Sequence, residues 1–270
     1  MPPRSPLMNI MVRAAQRAAR GLKRDFGEIE QLQVSRKGPA DFVSTADMNA
    51  DRVLCEELTK GRPDFGIMSE EGSLREPDSE GRRWIVDPLD GTSNFLHGLP
   101  HFAISIGLEQ RGNLLAAVVY DPIKDELFHA EKGGGAFLND RRLRVSGRRS
   151  LNEALIGTGM PFKGHGDSPR FLEELGRIVP EVAGVRRWGS AALDLAYVAA
   201  GRYDGFWERD LKAWDVAGGA LLVREAGGYL SAIDGRDFTL EGGSILATNS
   251  HLHADLAGLL AGRTKTPKAS

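Results

Sequence analysis

The sequence predicts a layered α/β (α+β) protein, and two patterns carry that expectation. Residues 102–109, 114–121 and 126–131 are strand-length, β-rich and separated by short turns, which reads as an antiparallel meander. From residue 154 onward, short β-rich runs alternate with helical stretches, so sheet faces covered by helices are expected. The size agrees: 270 residues, 41% hydrophobic and 27% charged, suffice to bury a sizeable core in one large unit or two halves.

Composition also excludes some functions. Net charge is −2, from 35 basic and 37 acidic residues, which argues against nucleic-acid binding through bulk positive charge. Arg141, Arg142, Arg144, Arg148 and Arg149 form a local basic cluster, read as a solvated loop. Cys55 is the only cysteine, so no intrachain disulfide is possible. It sits in an amphipathic helical stretch and reads as a small buried hydrophobe. No apolar run reaches 18 residues, so no spanning helix is expected. The Arg-bearing N-terminus reads as a structural first helix, with a cleaved transit peptide as the alternative. A cytoplasmic, reducing location fits this cysteine usage.

In chain order, Met11, Ala14, Ala15, Ala18 and Leu22 recur at helical spacing, so residues 6–25 are expected to pack as an amphipathic helix. Lys37-Gly38-Pro39-Ala40 breaks the pattern. Residues 41–45 look extended, and a helix from Asp47 to about residue 60 follows. By position alone Asp47 is equally a first-turn cap. Residues 66–69 form a short strand ending at Glu70, Glu71 and Gly72, and residues 73–82 read as a mobile loop. The meander comes next. Gly133-Gly134-Gly135 lacks the phosphate-loop pattern and reads as a hairpin turn.

The second half reads as strands at 154–157, 185–188, 205–207, 229–233 and 244–247. Helices are expected at 168–178, 190–201, 214–226 and 252–260. The basic loop at 141–150 suggests a division into an N-terminal α+β half, 1–145, and a C-terminal α/β half, 146–263. Residues 264–270 read as a disordered tail.

The chain is organised around Trp84-Ile85-Val86-Asp87-Pro88-Leu89-Asp90-Gly91-Thr92-Ser93-Asn94-Phe95. Trp84, Ile85 and Val86 read as the end of a buried strand. Pro88 has no N–H, so the ladder is expected to stop there. Gly91 permits a tight turn, and Thr92 or Ser93 caps a following helix. Asp87 and Asp90 then lie together beside a helix N-terminus. Carboxylates there suit a hard cation such as Mg²⁺, and free N–H groups suit a phosphate. An Asx turn closing the strand is the simpler alternative. No HExxH or GxSxG pattern offers a zinc site or a serine hydrolase instead.

The run Asp87–Phe95 resembles the signature of the inositol monophosphatase family. Trp214-Asp215-Val216-Ala217-Gly218-Gly219 resembles a second signature. Glu70-Glu71-Gly72 and Asp41-Phe42-Val43-Ser44-Thr45-Ala46-Asp47 fall in the family's order, and the likeness runs from about residue 7 to 262. The resemblance implies a five-layer α-β-α-β-α sandwich. It also implies a Mg²⁺-dependent phosphate monoester hydrolase, with Mn²⁺ as a possible substitute. One metal would be held by Glu70, Asp87 and the Leu89 carbonyl, and a second by Asp87, Asp90 and Asp215. Sharing Asp87 would set the ions about 4 Å apart, the range of two-metal hydrolysis. A two- or three-metal mechanism follows, with Glu70, Thr92 and Asp47 as the catalytic groups and the last two orienting the attacking water.

The same resemblance implies substrate contacts from Gly91, Thr92, Gly189, Ser190, Ala191, Glu208 and Asp215. Glu208 lies seven residues before Asp215, where the family has an acid that binds a ring hydroxyl. A surface acid after a strand is its alternative reading. Arg186 and Arg187 either orient an anionic ligand or are solvated. Ser93-Asn94-Phe95 is closer to the inositol branch than to the nucleotide-bisphosphate branch. The expected substrate is a small phosphorylated polyol, first of all inositol monophosphate. The alternatives are histidinol phosphate, fructose 1,6-bisphosphate, a 3′-phosphonucleotide, or a role as a binding partner of transcription machinery. A lithium-sensitive homodimer is implied by the family alone. Neither a membrane nor direct nucleic-acid contact is expected.

Overall fold

A computed structural model describes residues 4–28, 34–38 and 41–262. The first helix, α1 (Pro6–Phe26), starts where its signals lie. Ser5 Oγ accepts from the Met8 amide at 3.1 Å, and Pro6 takes the first turn, where its missing N–H costs nothing. Met8, Met11, Ala15, Ala18 and Leu22 form its buried stripe. The ribbon β1 (Val34–Gly38) and β2 (Asp41–Ser44) follows. The break expected at Lys37-Gly38 is therefore the end of a strand; Pro39, Ala40 and the proposed tail at 264–270 lie outside the described residues. Next comes α2 (Thr45–Gly61), opened by a capping box between Ser44 and Asp47.

The strands of the first half are β3 (Gly66–Ser69), β4 (Leu74–Arg75), β5 (Arg82–Asp90), β6 (Ala103–Gln110), β7 (Asn113–Asp121), β8 (Glu126–Glu131), β9 (Gly135–Leu138) and β10 (Arg141–Arg142). They form one eight-stranded sheet in the order β10-β9-β8-β7-β6-β5-β3-β4, with the expected meander at its centre. Two expectations are corrected. The stretch 73–82 is not simply a loop, because Leu74 and Arg75 pair with Met68 and Ile67. Nor does the ladder end at Pro88: Asp90 pairs with Ala103 after a register shift between Asp87 and Asp90. A bulge absorbs the residue that cannot donate.

The triglycine turn between β8 and β9 has a partner that the sequence did not show. The Glu225 carboxylate accepts from the Gly133 and Gly135 amides, each at 2.8 Å. Glu225→Ala is expected to cost about 1–2 kcal/mol through two lost charge-assisted hydrogen bonds, measured by urea unfolding. An unchanged midpoint would remove the carboxylate from the stability of this hairpin.

The second sheet contains β11 (Leu155–Thr158), β12 (Gly184–Arg186), β13 (Gly205–Arg209), β14 (Tyr229–Ser231) and β15 (Ser244–Thr248), in the order β12-β11-β13-β15-β14. Its β11 pairs are parallel and its β15 pairs antiparallel. The helices are α4 (Ser168–Ile178), α5 (Ala191–Ala199), α6 (Ala213–Glu225) and α7 (His253–Leu260). Helices α1 and α2 cover one face of the large sheet around Trp84, Val86 and Ile106. Helices α5 and α6 lie between the two sheets, packed with Ile85, Ala117, Phe206 and Ile245. Helices α4 and α7 cover the outer face of the small sheet around Ile156, Trp207 and Leu246. The result is a five-layer α-β-α-β-α sandwich. Gly218 in α6 permits the close middle layer, since a Cβ there would stand 2.6 Å from Ser105 Oγ. No helix among the described residues is long and apolar enough to cross a membrane.

Candidate active site

The parallel pairing of β3 with β5 sets Ser69 against Val86, so the residues that follow each strand, Glu70 and Asp87, meet. The Glu70 amide donates to the Val86 carbonyl at 3.1 Å, and burial and then Glu70, the first of the neighbouring acids, make Asp87 harder to ionise. Asp51 of α2 holds the Glu70 turn from behind. Its carboxylate accepts from Ser69 Oγ and, at 2.6 Å, from Ser73 Oγ. The Cys55 thiol also points at Asp51, and burial beside that acid pushes it up to about 12. Cys55 is therefore an inert partner and not a nucleophile.

Asp87 Oδ1 accepts from the Leu89 amide at 3.0 Å, so the Asx turn is real and coexists with the acid cluster. Beyond the bulge, Asp90 Oδ2 accepts from Ser190 Oγ at 2.6 Å and from the Ala192 amide at 2.7 Å. This ties β5 to the start of α5. Gly91, at φ 98°, is the N-cap of the short helix α3 (Thr92–Leu96), and no side chain caps it. The expectation that Thr92 or Ser93 caps this helix is thus corrected. A Cβ at Gly91 would stand 3.3 Å from the Gly189 carbonyl, so only glycine suits both the backbone and the contact.

Freed from capping, Thr92 Oγ1 lies 2.9 Å from Asp47 Oδ1 and 3.1 Å from the Leu89 carbonyl. Its single hydrogen serves one acceptor at a time. Asp47 also accepts from the Ser44 amide at 2.9 Å, so it is both the cap and the partner of Thr92. Asn94, in the motif but unassigned by the sequence, donates to the carbonyls of His101 at 2.8 Å and Trp188 at 2.7 Å. It fixes the Gly189 segment beside Gly91. Asp215, at the start of α6, accepts from the Lys212 amide at 2.7 Å and so also completes a cap.

Asp47, Asp87, Asp90, Asp194, Glu208 and Asp215 are harder to ionise than usual. Burial, then Glu70, Asp90 and Asp215, push Asp87 well above the carboxylate range. Burial raises Asp90 to about 6, against the lowering pull of the Ser190 and Ala192 hydrogen bonds. Burial and then neighbouring acids raise Asp215 and Glu208 to about 8 each. Asp47 is raised by burial as well. Near Glu208, α5 buries Asp194, whose Oδ1 has no partner and whose carboxyl is also raised well above its usual range by burial.

The donor set suits a hard divalent cation. Glu70, Asp87, Asp90 and Asp215 offer only oxygen, and none of the main influences on Asp87 is a basic side chain. Buried like charges of this kind require either protons or a cation. Among the described residues, no three acids, histidines or cysteines are drawn tightly around one point. The observation is a shared electrostatic environment and not a closed cage.

Hydrogen bonds link Asp47 to Thr92 and Asp90 to Ser190, whereas Asp215 and Glu208 join the set through electrostatic influence. His101 and His253 are engaged elsewhere. His101 is buried between Trp188 and Tyr197 and held down to about 4 by burial, and His253 bonds Thr248 and Ser231. Arg187 acts electrostatically on Glu208 and Asp194, whereas Arg186 bonds the Val185 carbonyl. The basic cluster is not one solvated loop: Arg141 and Arg142 pair with β9, while Arg144, Arg148 and Arg149 line a separate cleft of about 730 Å³, where Arg148 pairs with buried Asp204 at 3.1 Å. Sequence reasoning missed Asp51, Asn94 and Asp194. Only Asn94 carried a signal, its place inside the motif.

Comparison with known proteins identifies the family. The chain matches the Inositol monophosphatase family over residues 4–265. It is 58% identical to an inositol-1-monophosphatase of Rhizobium meliloti, over 92% of this chain and 94% of that protein. It is 47% identical to the Nus factor SuhB of Pseudomonas aeruginosa, over 91% and 92%. Its fold overlays the crystal structure of the extragenic suppressor protein suhB from Bartonella henselae with a TM-score of 0.92, at 52% identity, covering 95% and 98% of the two chains. The chain belongs to the inositol monophosphatase family.

Proposed function

We propose that this protein hydrolyses the phosphate monoester of inositol monophosphate, using divalent metal ions held by Glu70, Asp87, the Leu89 carbonyl, Asp90 and Asp215. The observation that carries the reading is the mutually perturbing acid set around buried Asp87, beside the Thr92–Asp47 pair. Mg²⁺, or Mn²⁺ in its place, would neutralise phosphoryl oxygens, activate water and stabilise the leaving alkoxide. The chain's own residues do the rest. Asp47 takes the Thr92 hydroxyl hydrogen, which leaves the Thr92 oxygen to accept from a water and orient it. Glu70 stands on the water side as a further acceptor. The start of α3, together with Gly91, offers amides to the phosphate. Ser190, bound to Asp90, and the Gly189–Ala191 backbone line the leaving-group side, where Glu208 accepts from ring hydroxyls.

The test is phosphate release from a panel containing inositol 1-phosphate, histidinol phosphate, fructose 1,6-bisphosphate and a 3′-phosphonucleotide. Chelated protein is expected to be inactive and to regain activity with Mg²⁺ or Mn²⁺, with inositol 1-phosphate giving the highest kcat/KM. Full activity after chelation would overturn the metal assignment, and another preferred substrate would overturn the substrate assignment. The similarity to a Nus factor supports a second role as a partner of transcription machinery. A homodimer in the cytoplasm belongs to the same reading.

A further inference from the structure

Glu208 follows Trp207 in β13, and Trp207 is paired in parallel with Thr158 at the end of β11. Thr158 Oγ1, with one hydrogen for two acceptors, lies 3.0 Å from the Trp207 carbonyl and 2.9 Å from the Gly159 carbonyl. The next residues, Gly159 and Glu208, therefore lie side by side. A Cβ at Gly159 would overlap the Glu208 carboxyl carbon and both its oxygens. The carboxylate thus occupies the space that a side chain at 159 would fill.

Gly159 is not among the residues with positive φ, so its backbone accepts any L residue. Glycine is needed there for space and not for conformation. The obstacle is the far end of a flexible side chain, so an added methyl would displace Glu208 and leave the strands in place. The chain that follows closes over the same strand end. Phe162 and His165 bridge and stack with ring centroids 4.5 Å apart. A Cβ at Gly166 would stand 3.3 Å from Asp210 Oδ2. The acids Asp215, Asp90 and Asp194 act electrostatically on Glu208 or are acted on by it, with Arg187 as the opposing cation.

We infer that Gly159 is the positioning residue for substrate choice: by having no side chain, it lets the Glu208 carboxylate stand where an uncharged, hydroxyl-rich leaving group must bind. This rests on the reading of Glu208 as a hydroxyl acceptor. A wall of acids favours neutral donors and disfavours a leaving group that carries a second phosphate.

The experiment compares Gly159→Ala, Glu208→Gln and the double variant in the metal-loaded full chain. The readout is the ratio of kcat/KM for inositol 1-phosphate to that for p-nitrophenyl phosphate, together with the melting temperature. Gly159→Ala is expected to lower the ratio about tenfold, mostly through KM, with a melting temperature within about 3 °C of wild type. The double variant is expected to be no worse than Glu208→Gln alone, because both changes remove one contact. A wild-type ratio in Gly159→Ala beside a lowered ratio in Glu208→Gln would overturn the inference and leave the Glu208 reading standing. A wild-type ratio in both would overturn the Glu208 reading itself. Equal losses on the two substrates with a lower melting temperature would show a structural role for Gly159 and overturn the inference too.

Discussion

Asp90→Asn is expected to lower kcat by about 10³-fold or more, the largest loss of any single substitution considered, because a metal-held oxyanion contributes several kcal/mol to the transition state. The structure says why a neutral isostere does not compensate. Asp90 Oδ2 already serves Ser190 Oγ and the Ala192 amide. The Asn oxygen has to keep those two partners, so its amide nitrogen is the atom turned toward the other acids. A donor then stands where a cation needs an acceptor. The fold should persist, since both hydrogen bonds survive and one of several closely set like charges is gone. Metal-free Asp90→Asn is therefore expected to melt no lower than metal-free wild type. Steady-state kinetics and a thermal scan of the same preparation check both halves. Near wild-type turnover in a folded variant would remove Asp90 from the site.

Thr92→Ala is expected to lower kcat by about 10²–10³-fold while metal affinity changes by a few-fold at most, the range for losing a group that positions a proton-transfer partner. Asp47→Asn should give a similar loss. Its amide oxygen still accepts from the Ser44 amide, so the capping box that starts α2 is kept. The two side chains are 2.9 Å apart and act on one water in this reading. The double variant is then expected to be no slower than the worse single variant. Losses that multiply would mean that the two residues act independently and would count against a shared water. Titrating metal into each variant by calorimetry separates the catalytic loss from a binding loss.

The sequence alone determined the parts whose signals are local. An acid pair following a buried strand, a glycine turn and helix periodicities are written within a few residues of one another. So the meander, the alternating half and the candidate acids Glu70, Asp87, Asp90 and Asp215 could be named from residues and resemblance. The parallel register of β3 against β5 is what brings Glu70 to Asp87. The local rules failed where tertiary contact overrode them. Pro88 was expected to end its strand, but pairing with β6 resumes beyond a bulge. Thr92 was expected to cap a helix, but Gly91 takes that place and frees the hydroxyl for Asp47.

What only the tertiary structure decided is which side chains hold the acids in place. Asp90 meets Ser190 across 100 residues of chain, and Asn94 reaches Trp188 across 94. Gly159 has no signal in its own neighbourhood, because its lack of a side chain matters only once β11 and β13 lie in register beside Glu208. Sequence patterns report a residue's fit to its own helix, strand or turn. A contact between distant segments depends on how layers stack and strands register, and the short-range pattern does not contain that geometry.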